Sequence, residues 1–355
     1  MKKEHILEDY GIAVLSRECS LMGRKEVLSG KAKFGIFGEG KEVPQLALAR
    51  AFRDGDFRSG YYRDQTLMMA LGVHTVENFF AGIYAHADIK ADPTSAGRQM
   101  GGHFATHSLD EEGNWKDLLK QKNSSSDISC TAGQMPRLLG LAQASKVYRE
   151  LPNAESKGFS NHGNEVAWGT IGNASTSEGH FFEILNAAGV MQVPLVMSVW
   201  DDEYGISVPK EYHTIKQSIS EALKGFVRDK KHKGFELFVV KGWDYPTLYE
   251  TYQKASKIAR EQHIPILVHV LELTQPQGHS TSGSHERYKS PERLQWEKDF
   301  DCISKMREWI LAEGYATEEE LLAIEQQAKK RVNEGRKKAW EALRDAKFTK
   351  FCLAS

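Results

Sequence analysis

Residues 166–205 read VAWGTIGNASTSEGHFFEILNAAGVMQVPLVMSVWDDEYG, and their pattern predicts the architecture of the chain. The apolar run at 166–172 indicates a buried strand, and residues 176–191 place apolar side chains at helical intervals. Residues 195–199, which follow Pro194, indicate a second strand. A strand, a helix and a strand in this order form a βαβ unit, in which the two strands are parallel.

The same pattern returns later in the chain. FELFVV at residues 235–240 and ILVHVLEL at residues 266–273 indicate strands, and residues 246–262 between them indicate a helix. Repeated βαβ units build a parallel sheet that helices cover. We therefore predict an α/β fold with a parallel sheet flanked by helices.

The two ends of the chain have helical patterns with many charges. Apolar positions recur at helical intervals between residues 6 and 30, and residues 291–346 are charged and helical in pattern. We predict an N-terminal helical arm at residues 1–30, an α/β domain at residues 31–290 and a helical C-terminal appendage at residues 291–355.

The composition favours a soluble globular protein and leaves small, charged metabolites open as ligands. Lys and Arg total 47 against 48 Asp and Glu, so no charge bias would draw the chain to nucleic acid or to an anionic membrane. The charged start MKKEHILEDY lacks the apolar core of a signal peptide, and no stretch reaches the ~18 apolar residues of a membrane span. The four cysteines lie far apart in the sequence, which fits reduced thiols. We expect a cytoplasmic protein.

Several common catalytic motifs are absent from the sequence. It has no GxGxxG after a strand and no GxxxxGK[ST], which weighs against nicotinamide and nucleoside-triphosphate folds. His103 and His107 stand four residues apart, but no glutamate of the HExxH type lies between them. A metalloprotease-type zinc site is therefore not expected.

Polar side chains follow each strand of the first βαβ unit. Asn173 comes directly after one strand, and Asp202 follows the next, 29 residues later. Ligands of open α/β sheets bind at the carboxyl ends of the strands, so both turns should face the same edge. Carboxylate and amide oxygens suit Mg²⁺, which usually also takes phosphate oxygens. The alternative is that Asn173 only caps a turn and that the acidic pair lies in a solvated loop.

Residues 172–207, GNASTSEGHFFEILNAAGVMQVPLVMSVWDDEYGIS, resemble the thiamine diphosphate fingerprint of 2-oxo acid dehydrogenase alpha subunits. In that family GDG or GEG is followed, one crossover helix later, by NN. Here the amide stands first, at Asn173, and the acid second, at Asp202, which keeps one carboxylate and one amide oxygen. The resemblance implies that Mg²⁺ is bound by Asn173, Asp202 and the backbone carbonyl of Tyr204. The cofactor positions that it implies in the same stretch are Gly172, Asn173, Ala174, Ser175, Asp202, Tyr204 and Ile206.

Three further segments resemble the same family. SGYYRDQTLMMALG at residues 59–72 is similar to the segment whose Tyr and Arg hold the diphosphate, which implies this role for Tyr62 and Arg63. GRQMGGHF at residues 97–104 resembles GRQMPVHY of branched-chain members. Residues 126–146 resemble the segment that faces the pyrimidine end of the cofactor, which implies contacts from Ser129 and Thr131. Without the resemblance, the Tyr–Arg pair could equally be an exposed part of a loop.

The loop QGHSTSGSHERYK, residues 277–289, contains the best candidate for catalysis, His279. Glycines and small hydroxyl residues around a histidine are typical of a polar loop, and a lone histidine there is more often structural or exposed. The segment resembles the family's HHSTSDDSSAYR loop, whose histidine serves decarboxylation and acyl transfer beside the cofactor. The resemblance therefore implies that His279 is catalytic and binds the cofactor.

The resemblance, which covers residues 31–290, implies an alpha subunit or alpha region of a 2-oxo acid dehydrogenase. Such an enzyme decarboxylates a 2-oxo acid oxidatively and transfers the acyl group to a lipoyl group. A beta subunit, in a two-plus-two heterotetramer, or a C-terminal extension would complete the active site, and the lipoyl domain of the acyltransferase component is a further partner. Residues 33–45 lack the histidine of pyruvate-type members, which favours a branched-chain substrate such as 2-oxoisovalerate. The alternatives are a pyruvate or acetoin dehydrogenase, or a non-catalytic module that binds Mg²⁺ and a diphosphate.

Overall fold

The structure is a computed structural model that describes residues 1–99, 101–151 and 158–352, and side chains up to residue 345. Met100, within the GRQMGGHF segment, and residues 353–355, in the predicted appendage, lie outside the described residues. The chain divides into two compact units. Unit 1 comprises residues 1–46, 62–104 and 275–355, and unit 2 comprises residues 47–61 and 105–274. The domain boundaries predicted at residues 30 and 290 stay a prediction.

Unit 2 contains a six-stranded parallel sheet with strand order β2-β1-β3-β4-β8-β7. Among the described residues, its strands are β1 (Phe57–Ser59), β2 (Asn123–Ser124), β3 (Ala167–Gly172), β4 (Leu195–Trp200), β7 (Glu236–Lys241) and β8 (Ile266–Leu271). A separate antiparallel pair is formed by β5 (Tyr204–Gly205) and β6 (Val208–Pro209). The predicted α/β fold with a parallel sheet is confirmed.

Helices cover this sheet: α5 (Met135–Glu150), α6 (Gly179–Met191), α7 (Ile219–Ala222) and α8 (Tyr245–Gln262). The central strands β3, β4 and β8 are buried along almost their whole length, as their apolar runs predict for strands covered on both faces. Leu138 and Leu185, from α5 and α6, belong to one apolar core with Leu195 and Met197 of β4. This core fixes the ends of β3 and β4, where the candidate site residues begin.

Unit 1 is helical. Its helices in the described residues are α1 (Lys3–Leu28), α3 (Gln65–Ala70), α4 (Val76–Ile83), α9 (Pro291–Asp299), α10 (Cys302–Ala312) and α11 (Glu318–Cys352), and α2 (Glu42–Ala51) is divided between the two units. Helix α4 begins with a capping box, in which the Thr75 hydroxyl accepts from Asn78 N and the Asn78 side chain accepts from Thr75 N. Cys19, Phe80 and Val332 share an apolar core of this unit.

The structure refines one sequence prediction. The predicted helix at 176–191 begins at Gly179, because Glu178 has extended backbone angles after a short 3₁₀ turn at Ala174–Ser177. The segment between α2 and α3 contains strand β1. In the part of the chain that the structure describes, no helix is both long and apolar enough to span a bilayer.

Candidate functional site

In unit 2, the turns after β3 and β4 lie side by side at one edge of the sheet. Gly172 is the register partner of Trp200, and Asn173 N donates a hydrogen bond to the Trp200 carbonyl at 3.2 Å. The parallel ladder therefore continues one residue beyond β3. Adjacent strands are only ~4.8 Å apart, so the residues that follow them are close neighbours. The structure thus brings together the two turns that carry Asn173 and Asp202.

Asn173 is buried, with an exposed fraction of 3%. Its backbone carbonyl accepts from Thr176 N at 3.1 Å and from Thr176 Oγ1 at 2.6 Å, while its side-chain Nδ2 finds no hydrogen-bond partner among the described residues. A buried polar atom without a partner is costly, and the two ends of an amide exchange by a half-turn. A cation that met the amide oxygen there would remove this cost, so Asn173 fits a place in a cation site.

The acidic pair after β4 separates into two roles. Asp201 is buried, and its carboxylate accepts from His269 Nε2 at 2.9 Å and from Glu203 N at 2.8 Å. Asp202 accepts from Tyr204 N at 3.2 Å. Asp201 therefore links the turn after β4 to strand β8 of the sheet. Asp202 is the acid that the sequence motif predicts as a cation ligand, and its contact with Tyr204 N lies within the turn.

The turn after Asp202 is tightly packed and strained. A Cβ placed on Gly205 would lie 2.6 Å from Cβ of Ala174, so only glycine allows this approach between the two turns. Ile206 has a φ of +58°, which is a costly conformation for a β-branched residue, and its side chain is 62% exposed. Burial lowers the pKa of His213, whose ring lies near Gly205, against the opposing effect of Asp201.

Two of the other expected cofactor residues of unit 2 are in contact. Ser175 Oγ donates to Thr131 Oγ1 at 2.9 Å, which links the 3₁₀ turn after β3 to the segment before α5. Ser129, two residues earlier, is exposed. Gly172 lies against the ring of Tyr61, whose hydroxyl would be 3.5 Å from a Cβ at this position. No sequence pattern had singled out Tyr61 or His269, because both act through partners far away in the chain.

In unit 1, the structure brings Arg63 and His279 together. Arg63 is buried, its Nη1 donates to the Phe37 carbonyl at 2.6 Å, and its Nη2 donates to the His279 carbonyl at 3.0 Å. The same Nη2 lies 2.9 Å from His279 Nδ1. The Arg63 guanidinium also lies 5.3 Å from the centre of the half-buried Tyr62 ring. The sequence suggested each of these residues, but not their contact with each other.

The Arg63 contact assigns the tautomer of His279. A guanidinium has only donors, so the 2.9 Å contact requires Nδ1 to be an acceptor. The ring proton of neutral His279 is then on Nε2, which makes Nε2 the atom that can donate a proton or a hydrogen bond to a ligand. Burial raises the pKa of Glu39 in the same unit, against the opposing effect of Arg63.

Comparisons with known proteins bear on this arrangement. A profile of the family described as Dehydrogenase E1 component matches residues 11–346. The 2-oxoisovalerate dehydrogenase subunit alpha of Bacillus subtilis (strain 168) is 27% identical over 292 residues, which cover 82% of this chain and 77% of that protein. The mitochondrial 2-oxoisovalerate dehydrogenase subunit alpha of Caenorhabditis elegans is 26% identical over 305 residues, with 85% and 62% covered.

A third relative, the pyruvate dehydrogenase E1 component subunit alpha of Rickettsia bellii (strain RML369-C), is 29% identical over 176 residues, which cover 48% of this chain and 50% of that protein. The aligned parts thus span between half and about three quarters of these relatives. The family match is more extensive, because it covers nearly the whole chain, and it confirms the resemblance seen in the sequence motifs. The chain belongs to the dehydrogenase E1 component family.

Proposed function

We propose that the chain is the alpha subunit, or alpha region, of a 2-oxo acid dehydrogenase that decarboxylates a branched-chain 2-oxo acid and transfers the acyl group to lipoyl groups. The observation that carries the proposal is the adjacency of the Asn173 and Asp202 turns, in a chain of the dehydrogenase E1 component family. Thiamine diphosphate is the cofactor that this family implies. When bound, it supplies the electron sink for decarboxylation.

The residues of the turns in unit 2 fit the Mg²⁺ that would accompany the cofactor. Asn173 offers a buried amide, Asp202 a carboxylate, and Tyr204 a backbone carbonyl, and oxygen atoms of these kinds are the usual ligands of Mg²⁺. Among the described residues, no cluster of three or more His, Cys, Asp or Glu side chains could hold a metal ion. The proposed ligand set includes only one such side chain. The remaining cofactor positions proposed here are Ser129, Thr131, Gly172, Ala174, Ser175 and Ile206.

The role of His279 in unit 1 follows from its fixed tautomer. With Nδ1 accepting from Arg63, the neutral ring can donate only from Nε2. General acids and bases must hold their proton at a defined atom to act on a ligand. We therefore assign proton transfer to His279 Nε2. Diphosphate binding by Tyr62 and Arg63 stays a prediction from the sequence motif.

The substrate class is proposed from two observations. Residues 33–45 lack the histidine that pyruvate-type members carry, and two of the three relatives described above are named for 2-oxoisovalerate. The third is named for pyruvate, so pyruvate is the substrate to test against. We further propose a beta subunit as partner in a two-plus-two heterotetramer, a lipoyl domain as acyl acceptor, and a cytoplasmic location.

The experiment is a decarboxylation assay on the chain reconstituted with its beta partner, using pyruvate, 2-oxoisovalerate and 2-oxobutyrate. We expect the highest kcat/KM for 2-oxoisovalerate, and acyl transfer to a lipoyl domain. A preference for pyruvate would show that the proposed branched-chain substrate class is wrong. Tight thiamine diphosphate binding without CO₂ release from any of the three would instead favour the non-catalytic module.

The metal is tested separately by calorimetry of thiamine diphosphate binding, with Mg²⁺ and with a chelator. We expect Asp202→Ala to lose most of the Mg²⁺-dependent binding, because it removes the only carboxylate in the proposed set. Exposed Asp229, which lies in the same unit, provides the control, and Asp229→Ala should bind as the parent does. Equal affinity with and without chelator would refute the site.

A further inference from the structure

The backbone of the His279 loop, defined as residues 277–289, is held by helix α1. Arg24 Nη1 donates to the Gln277 carbonyl at 3.1 Å and to the Ser280 carbonyl at 3.3 Å. These two carbonyls stand on either side of His279 in the chain. Hydrogen bonds from a charged donor are stronger than neutral ones. One guanidinium thus spans the part of the loop that carries the candidate catalytic residue.

A second anchor lies two residues after His279. Thr281 N donates to the Gly35 carbonyl at 2.9 Å, and Gly35 N donates to Thr281 Oγ1 at 2.9 Å. A Cβ on Gly35 would lie 2.4 Å from the Phe37 ring and 3.1 Å from Thr281 Cγ2, so this close pairing needs a glycine. The loop is therefore fastened at Thr281 as well as at the two carbonyls that contact Arg24.

These anchors converge on the contact between Arg63 and His279. Arg63 is itself fixed by the Phe37 carbonyl, two residues after Gly35. Arg24 fixes the loop backbone through hydrogen bonds on either side of His279. The ring and the carbonyl of His279 both contact Arg63. If the backbone moved, Nδ1 would lose its donor and the tautomer would no longer be defined.

We propose that Arg24 is a positioning residue that holds the His279 loop in place within unit 1 and so keeps His279 on Arg63 with its proton on Nε2. This inference rests on the proposed function where it concerns turnover. It assigns to the N-terminal helix, predicted only as an arm, a part in ordering the candidate catalytic loop. The holding role itself is a property of the chain without any ligand.

Hydrogen exchange of the full chain, followed by mass spectrometry, tests the holding role. Arg24→Met keeps the length of the side chain and removes both hydrogen bonds, so amide exchange in residues 277–289 should rise about tenfold or more. The matched control is Lys25→Met, because Lys25 is the exposed neighbour on the same helix and also loses one charge. It should leave loop exchange unchanged. Unchanged exchange in a folded Arg24→Met variant would overturn the proposal.

If Arg24→Met lost protection throughout the chain, Thr281→Val would be tested in its place. This change removes only the acceptor for Gly35 N. The same result is then expected: faster exchange in the His279 loop with α1 unchanged. Exchange that rises equally in α1 and in the loop would show that the anchors serve overall stability, and it would overturn a positioning role.

The second arm measures turnover in the enzyme reconstituted with its partner. Arg24→Met should lower kcat about tenfold with KM within about twofold, since positioning affects the reacting geometry more than ground-state binding. Arg24→Lys, which retains a donor, should recover part of the loss. A kcat within about twofold of the parent, together with a mobile loop, would refute the positioning role. Absence of turnover in the parent enzyme would refute the proposed function, while the exchange arm would still decide whether Arg24 holds the loop.

Discussion

Asp56 provides the sharpest test of how unit 2 holds its sheet in place. The carboxylate is fully buried and accepts from Arg260 Nη1 at 2.8 Å and from Arg260 Nη2 at 2.7 Å. It also accepts from Val166 N at 2.9 Å, Trp168 Nε1 at 3.0 Å and Arg53 N at 3.0 Å. One side chain therefore joins the start of β1, the start of β3 and the end of α8.

The Asp56→Ala variant should be strongly destabilised. It leaves Arg260, whose exposed fraction is 8%, as a buried cation without its carboxylate, and removal of one partner of a buried pair costs about 3–5 kcal/mol. The donors on Val166 and Trp168 lose their acceptor as well, so we take about 4 kcal/mol as the minimum expected effect. At about 2–4 °C per kcal/mol for a unit of this size, the melting temperature should fall by roughly 8–16 °C.

Differential scanning calorimetry and the intrinsic tryptophan fluorescence would measure the transition. Asp56→Leu combined with Arg260→Met should be less destabilising than Asp56→Ala alone, because an apolar pair leaves no charge unpaired. Asp229→Ala, at an exposed ion pair, should leave the melting temperature within about 2 °C. A loss for Asp56→Ala of less than about 3 kcal/mol would refute this account of the buried pair.

Three further predictions concern pH, the metal and catalysis. Burial lowers the pKa of His74 from 6.5 to about 4, so the unfolded chain takes up its proton first, and stability should fall by up to about 3 kcal/mol as the pH drops from about 6.5 to 4. The unfolding free energy of His74→Gln should vary less with pH in this window, and equal pH profiles would contradict the assignment. Asn173→Asp, which adds a carboxylate, should bind Mg²⁺ at least as tightly as the parent in calorimetry, whereas loss of binding would show that the site requires an amide. His279→Ala should retain thiamine diphosphate affinity but lose about two decades of acyl transfer to a lipoyl domain, and rates near those of the parent would exclude a catalytic role.

Strands that show an apolar run in the sequence could be predicted. Strands that depend on pairing with distant residues could not. The apolar runs of β3, β4, β7 and β8 appear in the sequence at nearly the positions found in the structure. Strands β1 (Phe57–Ser59) and β2 (Asn123–Ser124) have three and two residues, respectively, and no apolar alternation. They exist because Phe57 pairs with Ala167 and with Asn123, and such pairing over a long sequence separation leaves no local pattern.

The candidate site likewise contains some contacts that could be predicted from the sequence and others that could not. Asn173 and Asp202 could be predicted as neighbours, because the carboxyl ends of parallel strands meet at one edge of a sheet. The contacts of Arg24 with Gln277 and Ser280 could not, since they join residues more than 250 positions apart and use backbone carbonyls that every residue has. Motifs therefore identified His279, while the residues that hold its loop required coordinates.

The register of the sheet separates the two acids that the sequence presents as an equivalent pair. Val199 of β4 is the partner of His269 of β8, so His269 shares a face of the sheet with Val199 and, two residues on, with Asp201. The 2.9 Å contact from His269 Nε2 follows from this alternation and commits Asp201 to the interior of unit 2. Asp202 is the next residue along the chain, so the same alternation places its side chain on the opposite face from Asp201. Asn173 leaves the extended conformation, with φ −53° and ψ −47°, so the alternation ends there and its side chain need not follow the face of Asp201. The two acids of the DDE turn are therefore not equivalent: Asp201 is held by His269 of the sheet, while Asp202 lies in the turn adjacent to that of Asn173.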